Sequence, residues 1–200
     1  MPLRVLLIFA HPAFHRSRAN KVLVKAAQSV EGVTFHDLYA HYPSFDIDIE
    51  AEQNLLKAHD MLIFQHPFYW YSTPSLLKEW QDLVLEYGWA YGPGGTALKD
   101  KLFMSAITTS GSRDAYSHTG MHGRTMRELL APLDQTFKLC QMQRLPPFVI
   151  HGASRMEPET LEQHATQYQR VLRALVAGEV KLEQVAELER LNDDLNRLRG

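Results

Sequence analysis

The fold is decided by residues 3–20, which read LRVLLIFAHPAFHRSRAN. Residues 3–10 form a short, nearly continuous apolar run rich in branched side chains, which is typical of a strand covered on both faces in a parallel sheet. A polar loop follows, and a helical pattern begins at Asn20. A buried strand that leads through a polar loop into a helix is the first unit of an α/β fold.

The same alternation continues along the chain. Further strands are predicted at residues 33–39, 61–65, 101–108 and 148–151, and helices at residues 20–30, 49–58, 75–86, 126–139 and 159–176. Because parallel crossovers are right-handed, this pattern predicts a doubly wound, five-stranded parallel sheet with helices on both faces. Ligands bind such sheets where the strand order reverses, so the loops after strands one, three and four form the candidate site.

The composition excludes several classes of function. Of the 200 residues, 45% are hydrophobic and 22% are charged, and the net charge is -2 at pH 7. This is typical of a globular protein, and it gives no basic surface for nucleic acid. The single cysteine, Cys140, rules out an internal disulfide and fits a reducing, cytoplasmic location. The first apolar run is too short for a signal peptide or a membrane span, so we expect a cytoplasmic protein.

The chain is expected to form one domain over residues 1–178 and a tail over residues 179–200. A terminal helix is predicted from residue 181 to residue 199, because this stretch has no proline, glycine or aromatic residue and its leucines follow a 3-4-3 spacing. These leucines are Leu188, Leu191, Leu195 and Leu198. Such a helix can lie on its own domain or serve as a docking element for another protein, and the sequence leaves both interpretations open.

The loop after the first strand is a candidate anion site. It leads into a helix N-terminus, where free N–H groups and the helix dipole attract phosphate. The Ser17 hydroxyl and the Asn20 amide can donate hydrogen bonds to phosphate oxygens, although Ser17 is also explained as an ordinary helix N-cap. The sequence contains neither GxGxxG nor GxxxxGK[ST], so a phosphate would be held without a glycine-rich turn.

The loop after the third strand is rich in aromatic residues. Residues 65–74 read QHPFYWYSTP, with two prolines around the aromatic run. A stiff, flat, apolar loop at the edge of a sheet offers a stacking surface for a planar heteroaromatic ligand. The competing interpretation is an aromatic cluster that packs into the core.

The loop after the fourth strand combines small residues with two titratable ones. Residues 109–112 let the backbone approach a ligand closely, and their N–H groups can stabilise negative charge on it. Tyr116 and His122 add a phenol and an imidazole, each of which is also common as a purely structural residue. His118 and His122 have the i, i+4 spacing of metal ligands, but no third ligand is evident, so no metal site is predicted.

These segments resemble the flavodoxin-like NAD(P)H:quinone oxidoreductases over about residues 1–175. Within that family the chain is most similar to the bacterial ancillary subunits of glutathione-gated potassium-efflux antiporters. The motifs that carry this closer similarity are HYP at 41–43 with DIDI at 46–49, GWAYG at 88–92, GGTAL at 94–98 and LPPF at 145–148.

The resemblance implies FMN as the cofactor in preference to FAD, and it implies roles for individual residues. The flavin phosphate side would be bound by His11, Ser17, Arg18, Ala19 and Asn20. The ribityl chain and isoalloxazine ring would be bound by Pro67, Phe68, Tyr69 and Trp70, and the pyrimidine edge by Thr108, Thr109, Ser110 and Gly111. Ser110 stands where the family usually has glycine.

The resemblance also implies the chemistry. Tyr116 and His122 match the catalytic Tyr/His pair of the family, and Trp89, Ala90 and Tyr91 would line the face where nicotinamide and quinone bind in turn. The implied activity is two-electron hydride transfer from NADH or NADPH to a quinone by a ping-pong mechanism, in a homodimer with its active sites at the subunit interface. One-electron carriage, as in flavodoxins, is disfavoured because such carriers tend to be strongly acidic.

A second role follows from the closer similarity. The ancillary subunits imply a regulator that binds the cytoplasmic domain of a potassium-efflux antiporter, at the inner face of the cell membrane and through that protein partner. The sequence leaves open whether this regulatory binding is the main function and the redox activity incidental.

Overall fold

The computed structural model describes residues 2–198. Its strands are β1 (Val5–Phe9), β2 (Val33–Asp37), β3 (Met61–Pro67), β4 (Leu102–Thr108), β5 (Gln143–Arg144) and β6 (Phe148–Ile150). Its α-helices are α1 (Arg18–Gln28), α2 (Leu38–His41), α3 (Ile49–Ala58), α4 (Ser75–Val84), α5 (Met126–Leu129), α6 (Ala131–Leu139), α7 (Pro158–Ala177) and α8 (Leu182–Val185). None of the helices within these residues is long and apolar enough to cross a membrane.

The strands form one parallel sheet in the order β2-β1-β3-β4-β5. β5 pairs with the start of β4 and β6 with its end, so the two short strands share the fifth position. Pro146 and Pro147 lie between them and have no N–H group to donate to a neighbouring strand. The predicted doubly wound five-stranded parallel sheet is therefore confirmed, in the strand order of flavodoxin-like proteins.

The inner strand β1 shows how both faces of the sheet are covered. Its alternate residues Val5, Leu7 and Phe9 pack with α1 and α7 on one face. Leu6 and Ile8 pack on the other face with α3, α4 and α6. All five side chains are fully buried. A strand buried on both sides reads as a continuous apolar run, which is how the sequence identified it.

β1 lies between β2 and β3, and this is where the strand order reverses. Phe9, the last residue of β1, pairs with Asp37 on one side and with Gln65 on the other. The carboxyl ends of β1, β3 and β4 therefore open at one edge of the sheet. Ligand clefts of doubly wound sheets form at this switch point.

The predicted single helix over residues 126–139 is wrong. α5 ends at Leu129, and α6 begins at Ala131 with Pro132 in its first turn. Proline fits a first turn, where an N–H would have no intrahelical partner, but it cannot continue the hydrogen bonds of a preceding helix. The sequence also gave no indication of the short elements α2 and β5.

The predicted continuous helix over residues 181–199 is also wrong. The C-terminal helix α8 has only four residues, and 3-10 turns follow at Leu191–Asp193 and Leu195–Leu198; Arg199 lies outside the described residues. Carboxylates compete with helical hydrogen bonds here: Asp193 accepts from the Arg190 N–H and Asp194 from the Asn196 N–H. All four leucines of the predicted stripe nevertheless pack on the α1 and α7 face, so the stripe contacts its own domain.

Candidate functional site

A cleft of about 660 Å³ opens at the switch point. Its volume lies within the range of roughly 300–1,000 Å³ that is usual for ligand sites. Fourteen of the residues expected from the sequence line it together: His11, Ser17, Arg18, Ala19, Asn20, Pro67, Phe68, Tyr69, Thr108, Thr109, Ser110, Gly111, Tyr116 and His122.

Ser17 forms the N-cap of α1 at one end of the cleft. Its Oγ accepts hydrogen bonds from the backbone N–H and from Nδ2 of Asn20, both at 3.2 Å. Asn20 Nδ2 also donates to Thr108 Oγ1 at 3.0 Å, so this buried amide is already engaged within the protein. The Ser17 O–H remains available to a ligand. The expectation that Asn20 donates to a phosphate is therefore not met; Asn20 instead positions Ser17.

The same end of the cleft is electropositive. Arg16, Arg18 and Arg155 line it, and among the described residues the lining includes no carboxylate. Arg18 and Ala19 occupy the first turn of α1, where N–H groups have no intrahelical acceptor. Arg18 Nη2 is held by the carbonyl oxygen of Met156 at 3.1 Å. This arrangement favours an anion at the end of α1.

His11 lies beneath this end of the cleft. Its Nδ1 accepts a hydrogen bond from the Ala13 N–H at 3.1 Å, and its ring meets the Tyr69 ring edge-on with centroids 6.1 Å apart. Burial lowers the pKa of His11, so the ring is neutral near pH 7. Because Nδ1 is an acceptor, the ring proton is on Nε2, where it can be donated.

A tight turn follows β3. Tyr69 and Ser72 exchange two backbone hydrogen bonds, and both residues between them, Trp70 and Tyr71, have positive φ values, 49° and 61°. Trp70 is 94% exposed and does not line the cleft. Tyr71 was not predicted as a site residue, yet it contacts His122. Within a single chain, the turn therefore leaves Trp70 outside the cleft lining and brings Tyr71 to His122.

Tyr116 and His122 form a close pair on another wall of the cleft, with their ring planes tilted by 32°. Their ring centroids are 4.3 Å apart. Gly111 makes this approach possible, because a Cβ atom there would lie 2.9 Å from Tyr116 Cε2 and 3.4 Å from His122 Nε2. Burial raises the pKa of Tyr116, so its phenol keeps its proton near neutral pH. His122 Nδ1 lies 3.2 Å from the Tyr71 hydroxyl.

Ser110 is accommodated without strain, although the related family usually has glycine there. The residue is exposed at the cleft, and its φ angle is not positive. The neighbouring Thr109 is fixed to the strand beside it, since its N–H donates to Ile150 O at 2.9 Å and its carbonyl accepts from the Ala153 N–H at 2.8 Å. A hydroxyl-bearing side chain therefore adds a polar group to the cleft without changing the backbone.

The loop after β6 forms a wall that sequence reasoning missed. Ala153, Ser154 and Arg155 line the cleft beside the Thr109 segment. The topology was a usable signal, because the carboxyl end of a fifth parallel strand opens at the same edge as that of its neighbour β4.

Trp89, Ala90 and Tyr91 do not line the cleft of their own chain. Ala90 is fully buried, and Trp89 and Tyr91 pack against the α3 and α4 face of the sheet. The segment folds back there because the Gly88 N–H donates to Tyr91 O at 2.8 Å and the Ala90 N–H donates to Glu86 O at 2.9 Å. Direct contact with substrate, as expected from the sequence, is therefore not available to these residues within one chain.

The two histidines with metal-like spacing have separate partners. His118 Nε2 lies 2.9 Å from a carboxylate oxygen of Glu128, whereas His122 is paired with Tyr71. Over residues 2–198, no group of three or more His, Cys, Asp and Glu side chains could hold a metal ion.

A family model described as flavodoxin-like fold matches residues 3–172. The chain belongs to this family. Among its relatives is the glutathione-regulated potassium-efflux system ancillary protein KefG of Serratia proteamaculans (strain 568), which is 49% identical over 84% of this chain and 91% of that protein.

Solved structures agree with this assignment. The general stress protein 14 of Treponema denticola, in complex with FMN, has a TM-score of 0.82 and 39% identity over 86% of this chain and 99% of that chain. An NADPH-quinone reductase from P. pentosaceus has a TM-score of 0.76 and 30% identity over 84% and 96% of the two chains.

Proposed function

We propose that this protein is an FMN-dependent oxidoreductase that transfers electrons from NADH or NADPH to a quinone. The observation that carries the proposal is one cleft that combines an anion-binding helix end, a flat apolar wall and the Tyr116/His122 pair. The FMN complex and the NADPH-quinone reductase among the structural relatives support it.

The described residues fit FMN. The first turn of α1, the Ser17 hydroxyl and the nearby arginines would hold the phosphate. Pro67, Phe68 and Tyr69 would contact the ribityl chain and one side of the ring system. The loop from Thr108 to Gly111, which Tyr116 approaches closely because Gly111 has no Cβ, would meet the edge of the ring. When bound, FMN would supply the two-electron chemistry, accepting hydride from nicotinamide and passing it to the acceptor.

The chain itself supplies charge stabilisation and a proton. N–H groups of the loop after β4 can donate to an oxygen or nitrogen that gains negative charge. Tyr116 keeps its phenolic proton because of its raised pKa, so it can donate to such an atom. His122 lies against Tyr116 and completes the donor group.

Tyr71 connects this pair with solvent. Its hydroxyl contacts His122 Nδ1, and its side chain is partly exposed. If the hydroxyl donates to Nδ1, the proton of His122 is on Nε2, the atom that faces Gly111. A proton lost from His122 during turnover could then be replaced through Tyr71.

We further propose a two-fold homodimer in which a second chain covers the open side of the cleft. Trp70 is 94% exposed and Met121 is 90% exposed, and Met121 lines the cleft. Exposed apolar groups beside a cleft are typical of an interface. Trp89 and Tyr91 would reach substrate only across that interface, since they lie away from the cleft of their own chain.

A second candidate function is regulation of a transporter. The relatives named as potassium-efflux ancillary proteins, 47–49% identical to this chain, support a role at the cytoplasmic domain of a potassium-efflux antiporter. The protein would then act in the cytoplasm and associate with the inner face of the membrane through that partner. Its redox activity could be incidental to this binding role.

The enzyme proposal is tested by flavin extraction and steady-state kinetics. Purified protein should be yellow and should release FMN on acid treatment, and initial rates with NAD(P)H and a soluble quinone should give parallel double-reciprocal lines. Release of FAD would overturn the choice of cofactor, and intersecting lines would overturn the ping-pong scheme. A protein that binds flavin but reduces no quinone, and that is retained by the immobilised cytoplasmic domain of the antiporter, would favour the regulatory function.

A further inference from the structure

The C-terminal segment Leu182–Leu198, called the tail segment below, contacts both ends of the loop that presents Tyr116 and His122. We propose that the tail segment holds this loop, residues 109–125, in the position that places Tyr116 and His122 at the cleft, and that Asp193 is a positioning residue of the cleft. The inference rests on the proposed oxidoreductase function for its consequence in catalysis. The family match ends at residue 172, so this support belongs to a part of the chain outside the shared family region.

The first contact is at the start of the loop. Arg113 Nη2 lies 3.1 Å from Asp193 Oδ1 in an ion pair. The carbonyl oxygen of Arg113 accepts a hydrogen bond from the Tyr116 N–H at 3.0 Å, so the two residues belong to one turn. Arg190 donates to the same Asp193 carboxylate and fixes it from within the tail segment. A shift of Asp193 would therefore be passed to the backbone of Tyr116.

The second contact is just beyond the end of the loop. Arg127, in the first turn of α5, donates through Nη1 to the carbonyl oxygens of Ala186 at 2.8 Å and Leu188 at 3.0 Å. Its backbone N–H also donates to Glu189 Oε1 at 3.3 Å. The tail segment thus binds one arginine on each side of the Tyr116/His122 pair.

The third contact supports the loop indirectly, through β6. Asn192 Oδ1 accepts from the Val149 N–H at 3.1 Å, and Asn192 Nδ2 donates to Val149 O at 3.0 Å. Two residues after Val149, the His151 ring lies against Tyr116 with centroids 5.2 Å apart. Burial lowers the pKa of His151 to about 4, and the charges of Arg190 and Arg113 act in the same direction. His151 is therefore neutral near pH 7 and serves Tyr116 as a packing surface.

The tail segment can act as a support because it is itself anchored. Val185, Leu191 and Leu198 are buried in the same core cluster as α1 and α7. The Leu191 N–H also donates to Pro147 O at 2.8 Å. The contacts to Arg113 and Arg127 therefore connect the loop to the body of the domain and not to a free end of the chain.

The test compares Asp193→Asn and Arg113→Gln with the wild-type full-length protein. Asp194→Asn is the matched control, because Asp194 is adjacent in sequence but has as its partners, among the described residues, Arg197 and the Asn196 N–H, both within the tail segment. Hydrogen exchange of residues 112–122 is measured together with FMN affinity and the limiting rate of flavin reduction by NADH. We expect both variants to speed loop exchange and to lower the reduction rate by about three- to tenfold, with FMN affinity and melting temperature retained.

The double variant Arg113→Gln/Asp193→Asn distinguishes a loss of loop positioning through the shared contact from independent destabilising effects of the two substitutions. If the two residues act through their shared contact, the double variant should be no slower than the more affected single variant. Wild-type loop exchange in both single variants would overturn the proposal, as would equal effects in Asp194→Asn. If wild-type protein binds FMN but neither NADH nor NADPH reduces it, the oxidoreductase proposal fails, whereas the loop exchange still decides whether the tail segment holds the loop.

Discussion

The Tyr71 hydroxyl lies 3.2 Å from His122 Nδ1, and it joins the aromatic turn after β3 to the Tyr116/His122 pair on the loop after β4. The two residues are 51 positions apart in sequence, and the parallel pairing of β3 with β4 brings them to one edge of the sheet. The wall that would contact a flavin ring and the group that would supply its proton are therefore mechanically connected.

Removing the phenol or the imidazole should slow flavin reduction without releasing FMN. For Tyr116→Phe and His122→Gln we expect the rate to fall by about 10- to 1000-fold, the range for losing one charge-stabilising or proton-transfer group. Tyr71→Phe should have a smaller effect, about two- to tenfold, because Tyr71 acts through His122. Stopped-flow absorbance of the bound flavin measures each rate. His41→Gln, at an exposed histidine outside the cleft lining, is the control and should match wild type.

Ser17→Ala should weaken FMN binding. The variant loses a hydroxyl donor to the phosphate, which is worth about 1–3 kcal/mol and corresponds to roughly five- to 150-fold in the dissociation constant. Fluorescence titration of apoprotein with FMN measures the change. Ser29→Ala is the control, because it removes a cap at the opposite end of the same helix. An unchanged dissociation constant for Ser17→Ala would move the phosphate away from α1.

Glu52 should make folding stability depend on pH. Its fully buried carboxylate accepts from Tyr42 and Trp80, at 2.7 and 2.8 Å, and pairs with His36 at 2.7 Å. Burial alone would raise the pKa of Glu52, but these hydrogen bonds outweigh it, so the pKa lies below its ordinary value. Unfolding raises the pKa again, so the stabilisation is present above the ordinary value of about 4.3 and is lost as the pH falls below it.

Glu52→Gln measures this contribution. We expect the free energy of unfolding at pH 7 to fall by about 2–4 kcal/mol, because buried donors lose a charged acceptor. Urea denaturation at pH 7 and at pH 4 should show a smaller difference between variant and wild type at the lower pH. A difference independent of pH would mean that the charge of Glu52 does not contribute.

Leu191→Ala should destabilise the protein as a core substitution would. Leu191 is fully buried although it lies seven residues from the last described position, and a buried Leu→Ala change costs about 2–5 kcal/mol. Leu139→Ala is the control, since Leu139 is 56% exposed and should change stability by less than about 1 kcal/mol. Thermal and urea denaturation measure both. Equal effects would show that the tail does not pack on the domain in solution.

The sequence was most informative for features that depend only on the local hydrophobic pattern and on the topology of the sheet. The apolar run of β1 predicts a strand buried on both faces, and the rule for parallel sheets then places Ser17, Phe68 and Gly111 at one edge. No knowledge of side-chain packing was needed for that step. The structure brings these three residues into one cleft, as expected.

The roles of Trp70 and Tyr71 could not be predicted in the same way. A two-residue turn with both φ angles positive is normally made by Asn and Gly, so nothing in the local sequence indicates it. That turn leaves Trp70 exposed outside the cleft lining and brings the Tyr71 hydroxyl to His122. Trp89 and Tyr91 show the same limit, since the backbone hydrogen bonds within residues 86–91 hold them against the α3 and α4 face of the sheet, outside the cleft lining.

In the tail, the leucines predicted to face protein do so although the predicted helix is absent. The spacing of Leu188, Leu191, Leu195 and Leu198 identified an apolar stripe, and all four pack on the domain. Short turns achieve this packing because Asp193 and Asp194 accept hydrogen bonds from nearby backbone N–H groups, which in a helix would donate to backbone carbonyls. Leucine spacing reports which residues face protein; it does not by itself determine the backbone that carries them.

The two hydrogen bonds between the Asn192 side chain and the Val149 backbone also close the edge of the sheet at β6. A strand at the side of a sheet offers unpaired N–H and C=O groups, on which another chain can align and begin fibrous association. The Asn192 side chain satisfies both groups of Val149, as the peptide of a further strand would. The side-chain amide of Asn192 therefore blocks the pairing of a further strand at Val149. Two molecules can associate through the face around the cleft without exchanging strands at this edge of the sheet.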